Sequence, residues 1–368
     1  MKIKVKSPGR VNLIGEHTDY NGGYVLPCAL NLSITLLFEK KTNDSHIHTD
    51  LGSSMSFDIK KKIKKSHNHW ENYIIGVVSE LKKIKTDLLN FSCHIESTLP
   101  AGAGISSSSA LVCGLIKGLS ILNEIKFTNS QIIDLSRTIE HKYIGVKGGI
   151  MDQFTILNAK KNMAILLNCS NLNAKYINLK LEDYKILLLN TNVKHNLANS
   201  EYNQRVEECK SALKIIEKKC DHKFSNLSKI KFEDLEISKS HLSNKQYRRV
   251  SYVLKENQRT IESAKLIKSN KLQEFGRLMY KSHDGLKNDY EVSCAELDYL
   301  VDYSMNYKEI LGSRMMGGGF GGCTINIIKE NFITDYVNII KDEYFSKFAT
   351  ELNHIIAYPD SGVEVKII

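Results

Sequence analysis

The stretch Pro8-Gly9-Arg10-Val11-Asn12-Leu13-Ile14-Gly15-Glu16-His17-Thr18-Asp19-Tyr20-Asn21-Gly22-Gly23 packs a guanidinium, two carboxylates, an imidazole and four glycines between apolar residues. Acceptors and imidazoles gathered on one loop suit a polyhydroxylated ligand, because each hydroxyl direction can be fixed by a separate group. Taken alone, the stretch also fits a surface turn of ordinary charge. Just upstream, Met1-Lys2-Ile3-Lys4-Val5-Lys6-Ser7-Pro8 alternates basic and apolar residues and predicts a strand. It lacks the continuous apolar core of a secretory signal. No window elsewhere approaches the ~18 uninterrupted apolar residues of a spanning helix, so no membrane role is expected.

Three further segments carry chemistry. Pro100-Ala101-Gly102-Ala103-Gly104-Ile105-Ser106-Ser107-Ser108-Ser109-Ala110 leads into a helical pattern through Leu111, Leu115 and Leu119. Small residues before a helix let backbone N–H groups approach an oxyanion. No Lys follows a glycine and no G-x-x-G continues the pattern, so neither a Walker loop nor a dinucleotide fingerprint is supported. A serine-rich N-cap of a buried helix is the alternative, but loop and helix together favour phosphate. Gly312-Ser313-Arg314-Met315-Met316-Gly317-Gly318-Gly319-Phe320-Gly321-Gly322-Cys323 runs directly into an apolar strand. That context favours a tight turn under a ligand over a flexible linker. In Gly148-Gly149-Ile150-Met151-Asp152-Gln153-Phe154 an isolated acid sits among small and apolar residues, a setting for a base or a cation partner.

With 368 residues the chain has room for about two domains at roughly 100–200 residues each. Hydrophobic residues at 42% and charged residues at 25% exclude a disordered chain, a collagen repeat or a disulfide-stapled miniprotein. The 51 Lys and Arg against 41 Asp and Glu leave +10, which favours a polyanion: nucleic acid, an anionic membrane or a phosphorylated small molecule. The run Lys60-Lys61-Lys62-Ile63-Lys64-Lys65 is not interleaved with aromatics and has no recognition-helix or zinc-finger spacing, so a solvated surface is expected and nucleic acid is not. His46-x-His48 and His67-x-His69 lack a third ligand and do not read as zinc sites. The eight scattered cysteines show no C-x-x-C pair and read as reduced, small hydrophobes in a cytoplasmic protein.

Strands are predicted at Ser33–Phe38, Phe91–Glu96, Leu181–Asn190 and Thr324–Ile328. Helices are predicted from Ser107 onward and at Ser130–Tyr143, Glu201–Ile216, Val250–Leu266 and Leu297–Tyr307. Without a regular βαβ alternation the class is α+β. A boundary near residues 175–182, taken at 178, divides the chain into 1–178 and 179–368. Lys218–Gln246 carries no interpretable motif.

In their order and residues these segments resemble the galactokinase family, sugar 1-kinases of the GHMP small-molecule kinase superfamily, over nearly the whole chain. Arg10–Asp19 resembles the family's sugar signature, Pro100–Ala110 the superfamily's ATP loop, and Arg314–Cys323 its third glycine motif. Ser200-Glu201-Tyr202, shortly after Asn192-Val193-Lys194-His195, is similar too. The resemblance implies a two-domain GHMP kinase fold: an N-terminal α+β domain, a ferredoxin-like C-terminal domain and an active site in the cleft. The final strand would pack back on the first domain. Glu16, His17, Asp19, Gly149, Asp152 and Tyr202 would hold galactose. Trp70 and Tyr73 would contact adenine, while Gly102, Gly104, Ser106, Ser107 and Ser108 would hold the ATP phosphates. Ser108 and Glu140 would ligate Mg²⁺.

The implied reaction is ATP plus D-galactose giving ADP and α-D-galactose 1-phosphate. In it Asp152 would accept the anomeric proton and Arg10 would neutralise charge beside it. A guanidinium makes a neighbouring carboxylate a weaker base. The loose transition state of phosphoryl transfer tolerates that, so Asp152 is expected to orient first and take the proton late. Two other functions fit the same motifs: a 1-kinase for N-acetylgalactosamine, and a non-catalytic galactose sensor. Thr18 and the Asn21-Gly22-Gly23 ending favour galactose, and the intact Ser106–Ala110 favours catalysis. No motif sets the oligomeric state, and a monomer is compatible with the sequence.

Overall fold

Lys2–Asn12 is a strand, with Ile3 and Val5 fully buried and Lys2 and Lys4 exposed, as its period-2 pattern dictates. The computed structural model describes residues 2–61, 63–100, 102–193 and 198–368. Met1, Lys62, Ala101, Lys194 and His195, quoted above, lie outside the described residues. Lys2–Asn12 pairs antiparallel with the long strand Pro27–Lys40, which pairs in turn with Phe91–Ser97. Ser45–Thr49, parallel to Phe91–Ser97, and Ser54–Phe57 extend this sheet. The register of Lys2–Asn12 slips between Pro8 and Arg10. Such a bulge re-aims the side chain that follows it, and here that side chain is Arg10.

The helix Ser107–Leu122 lies across this sheet at unusually close range. A Cβ at Gly118 would sit 2.1 Å from the Phe38 ring, and one at Gly114 would sit 2.5 Å from Leu36. Only glycine lets backbone and sheet approach so closely, and that contact fixes where the helix N-terminus points. The helix Asn129–Ile139 starts at a capping box of Thr128 and Gln131. The predicted single helix through Tyr143 breaks at Glu140, where the chain winds into a π turn, Glu140–Ile144. π turns widen the helix and gather at functional sites, and this one delivers Glu140.

Tyr24–Val25, Met163–Asn168 and Asn173–Asn178 form a small second sheet. Beyond Asn178 the chain crosses to a four-stranded antiparallel sheet ordered Ile310–Met315, Cys323–Lys329, Tyr184–Asn190, Asn353–Ala357. Helices Ala295–Ser304 and Ile333–Phe348 cover it through Leu300, Tyr336 and Ile340. Afterwards the chain returns: Pro359–Asp360 pairs with Pro27–Lys40, and Glu364–Ile367 pairs with Lys2–Asn12. The region Lys218–Gln246, mute as sequence, supplies Leu227, Ile230 and Leu235 to a core shared with Ala198–Cys220 and Asn244–Lys268. Ser228 also donates to the Gly22 carbonyl at 2.8 Å, which buttresses the glycine end of the first motif. All eight cysteines are free. Among the described residues no helix is long and apolar enough to cross a membrane.

Candidate active site

A cavity of about 480 Å³ opens where the first motif, the serine loop, the Gly148–Gln153 segment and the third glycine turn converge. Its lining holds Arg10, Glu16, His17, Asp19, Tyr73, Gly102, Gly104, Ser106, Ser107, Ser108, Glu140, Gly149, Asp152 and Tyr202. Trp70 is not brought there. It precedes the helix Glu71–Ile84 and packs, half-buried, against the core, leaving its neighbour His69 in the lining.

At the centre Arg10 grips Asp152 with both arms of its fork. Nε donates to Oδ1 at 2.8 Å and Nη2 to Oδ2 at 3.0 Å, while Nη1 holds the Gly104 carbonyl at 2.7 Å. Burial opposes the Arg10 charge, but Asp152, Glu16 and Asp19 outweigh it and raise its pKa. Ser106 donates to Asp152 Oδ2 at 2.5 Å. Ser106 is left-handed, with φ of 59°, immediately before the helix Ser107–Leu122. A non-glycine residue held in that conformation at a site marks a backbone set by its surroundings.

Glu140 stands in contrast. Its Oε1 accepts from Ser109 at 2.6 Å and its Oε2 from Gln153 at 2.7 Å, both neutral donors. Burial pushes its pKa up to about 7, despite those hydrogen bonds. Ser108 interacts with the Tyr73 hydroxyl. Among the described residues no three His, Cys, Asp or Glu side chains are grouped to hold a metal ion.

On the opposite wall, Glu16 Oε1 accepts from the Gly317 N–H at 2.9 Å and faces Arg314 at 3.2 Å. Arg314 is fully buried and also donates to the carbonyls of Asn12, Leu13 and Met315. Asp19, pushed up to about 6 chiefly by burial and then by Asp152, lies against Gly149. A Cβ there would fall 2.0 Å from Asp19 Oδ2, so Gly149 is where the carboxylate needs an absent side chain. Tyr202 packs on His17 at 5.3 Å between ring centroids. His17 has both ring nitrogens within reach of protein partners, Tyr20 and Gly318.

Ser109, Gln153, Tyr20 and Arg314 belong to this constellation, yet none was singled out from the sequence. Ser109 and Arg314 lay inside the quoted motifs and Gln153 beside Asp152, so proximity was the available signal.

The galactokinase galactose-binding signature matches residues 2–40, and the N- and C-terminal GHMP kinase domains match 72–160 and 263–332. The galactokinase of Clostridium acetobutylicum is 40% identical over 97% of this chain and 93% of its own length. That of Thermosipho africanus is 38% identical over 94% of this chain and 95% of its own. The crystal structure of Lactococcus lactis galactokinase complexed with galactose superposes with a TM-score of 0.91 at 31% identity, covering 99% of this chain and 95% of that one.

Proposed function

The chain belongs to the galactokinase family, and from that premise we infer how its cleft moves the γ-phosphoryl group of ATP onto the anomeric hydroxyl of D-galactose. The enzyme phosphorylates D-galactose with ATP, giving ADP and α-D-galactose 1-phosphate. One observation carries the mechanism: the Arg10–Asp152–Ser106 cluster, at the meeting point of the first motif and the serine loop.

Asp152 accepts a hydrogen bond from the anomeric O–H and aims its oxygen at the γ-phosphorus. Because the transition state is loose, the bond from phosphorus to the bridging oxygen of ADP breaks before much proton transfer occurs. The proton passes to Asp152 late, as the new O–P bond forms. Arg10 holds Asp152 rigid and neutralises charge on the transferring group. Glu16, His17, Asp19 and Tyr202 wall the sugar subsite, with Gly149 giving Asp19 its room. Gly102, Gly104 and Ser106–Ser108, at the start of the helix, receive the phosphates. Tyr73 meets the adenine.

The Ser108 hydroxyl and the Glu140 carboxylate would hold Mg²⁺, as both are the hard oxygen donors it prefers. When bound, it supplies charge neutralisation at the β- and γ-phosphates. Eight free cysteines, several of them buried, support a cytoplasmic location.

A coupled ADP-release assay across galactose, N-acetylgalactosamine, glucose and arabinose tests the reading. Galactose is expected to be the preferred substrate. Preference for N-acetylgalactosamine would reassign the sugar, and binding without ADP release would make the chain a sensor.

A further inference from the structure

A buried chain of hydrogen bonds runs away from the sugar subsite, and none of the roles above uses it. His17 Nδ1 lies 2.8 Å from the Tyr20 hydroxyl, which lies 2.9 Å from the Tyr290 hydroxyl, which lies 3.1 Å from Cys209 Sγ. Across the ring, His17 Nε2 lies 3.2 Å from the Gly318 carbonyl oxygen. The links come from separate parts of the chain: the first motif, the residue after the π turn Gly285–Asp289, the helix Ala198–Cys220 and the third glycine turn.

Elementary donor counting orients every link. A carbonyl oxygen only accepts, so Nε2 carries the hydrogen. Burial outweighs the hydrogen bond to Gly318 and, with Arg205 nearby, pushes the imidazole down to about 3, so it is neutral and Nδ1 is a bare lone pair. Tyr20 therefore donates to Nδ1. Its single hydrogen spent, Tyr20 accepts from Tyr290, and Tyr290 in turn accepts from the Cys209 thiol. Burial pushes that thiol up to about 11, which keeps its hydrogen on sulfur.

We propose that Tyr20, Tyr290 and Cys209 are positioning residues that fix His17 as its Nε2–H tautomer and thereby clamp the Gly318 turn to the sugar-binding loop. The proposal rests on reading that loop as the galactose subsite. With the other tautomer, a lone pair on Nε2 would face the Gly318 carbonyl and the clamp would open. The turn meets the loop at a second point as well, where the Gly317 N–H donates to Glu16, and the Gly318 backbone lies close enough to Tyr202 that an added Cβ would come within 3.3 Å of its ring. One tautomer thus keeps both walls of the sugar subsite in register.

The test reads the tautomer directly in substrate-free, ¹⁵N-histidine-labelled protein, with the His17 signal identified by its loss in His17→Gln. The expected result is Nε2–H in the unaltered protein and a tautomer mixture in Tyr20→Phe. In Tyr20→Phe the KM for galactose is expected to rise about tenfold, with kcat and the KM for ATP changing less than about twofold. Cys209→Ser, which keeps a donor, is expected to retain the KM, while Cys209→Val raises it about threefold. An Nδ1–H tautomer or an imidazolium in the unaltered protein overturns the proposal, whether or not any variant folds. An unchanged tautomer in Tyr20→Phe does the same, and equal KM values for the two Cys209 variants remove the thiol from the chain. Absence of galactose turnover in the unaltered protein would sink the function while leaving the tautomer measurement intact.

Discussion

Asp152 and Glu140 are carboxylates in one cleft, and the fold treats them oppositely. Asp152 has a permanent counter-ion: Arg10, 5% exposed, binds both its oxygens. Glu140, 8% exposed, is held by two neutral side chains and is pushed up to about 7. A buried carboxylate with its cation built in is a fixed part of the machinery. One without a bonded cation is poised to receive one from outside. The difference separates the group proposed to orient the sugar from the group proposed to meet the metal–nucleotide.

Removing the acceptor should do the greatest damage. Asp152→Asn is expected to lower kcat at least about hundredfold, since it deletes a proton acceptor and leaves Arg10 buried without its partner. Near-normal turnover measured by the coupled assay would end the proton-accepting role. Arg10→Lys keeps the charge but loses the fork, and kcat is expected to fall about tenfold or more. A harmless Arg10→Lys would show that a point charge suffices.

Glu140 sharpens the contrast through protons. An unfolded glutamate titrates near 4.5 and the folded one near 7, so folding raises its affinity for a proton. Its contribution to stability is therefore full below about 4.5 and is lost as pH rises through about 7. A cation beside the carboxylate favours the ionised form, so binding of Mg²⁺ with an ATP analogue near pH 7, where Glu140 is about half protonated, should release up to ~0.5 proton from it. Calorimetry in buffers of different ionisation enthalpy measures that release. It is expected to vanish in Glu140→Gln, and a release unchanged in that variant would detach Glu140 from the metal. The smallest effect belongs to Ser109→Ala: a lost donor should raise the Glu140 pKa further and the KM for Mg²⁺–ATP only about threefold.

The legible part of the site was whatever the chain keeps contiguous. Arg10 to Asp19, the serine loop and Gly149 to Asp152 could be read because their chemistry sits within short windows. Strands such as Phe91–Ser97 and helices such as Ser107–Leu122 followed from apolar spacing, whereas Glu71–Ile84, Met163–Asn168, Leu272–Asp284 and Ile333–Phe348 were not read from the sequence at all. What the sequence hid is what tertiary structure decides. Nothing in Ser130–Tyr143 announces a π turn at Glu140, because helix periodicity continues on both sides of it. The choice of Ser109 over Ser108 as the donor to Glu140 depends on the angle at which one helix meets another. Tyr290 and Cys209 join the site through hydrogen bonds spanning 270 and 81 residues, and no local pattern records such distances. Trp70 shows the converse: its sequence neighbour His69 lines the cavity, while Trp70 itself packs against the core outside that lining.

The returning strands Pro359–Asp360 and Glu364–Ile367 have a further consequence. Lys2–Asn12 has Glu364–Ile367 as its neighbour on one side, so without the return it becomes an open sheet edge. Unpaired edges recruit other strands, and the exposed charges of Lys2 and Lys4 are the kind of guard that discourages this. A fragment cut between Asn178 and Tyr184 would therefore shed a structural hem as well as half an enzyme. A fragment of residues 1–178 carrying Lys2→Val and Lys4→Val is expected to self-associate more than the unaltered fragment, and its solubility should recover when Pro359–Ile368 is supplied on the same chain.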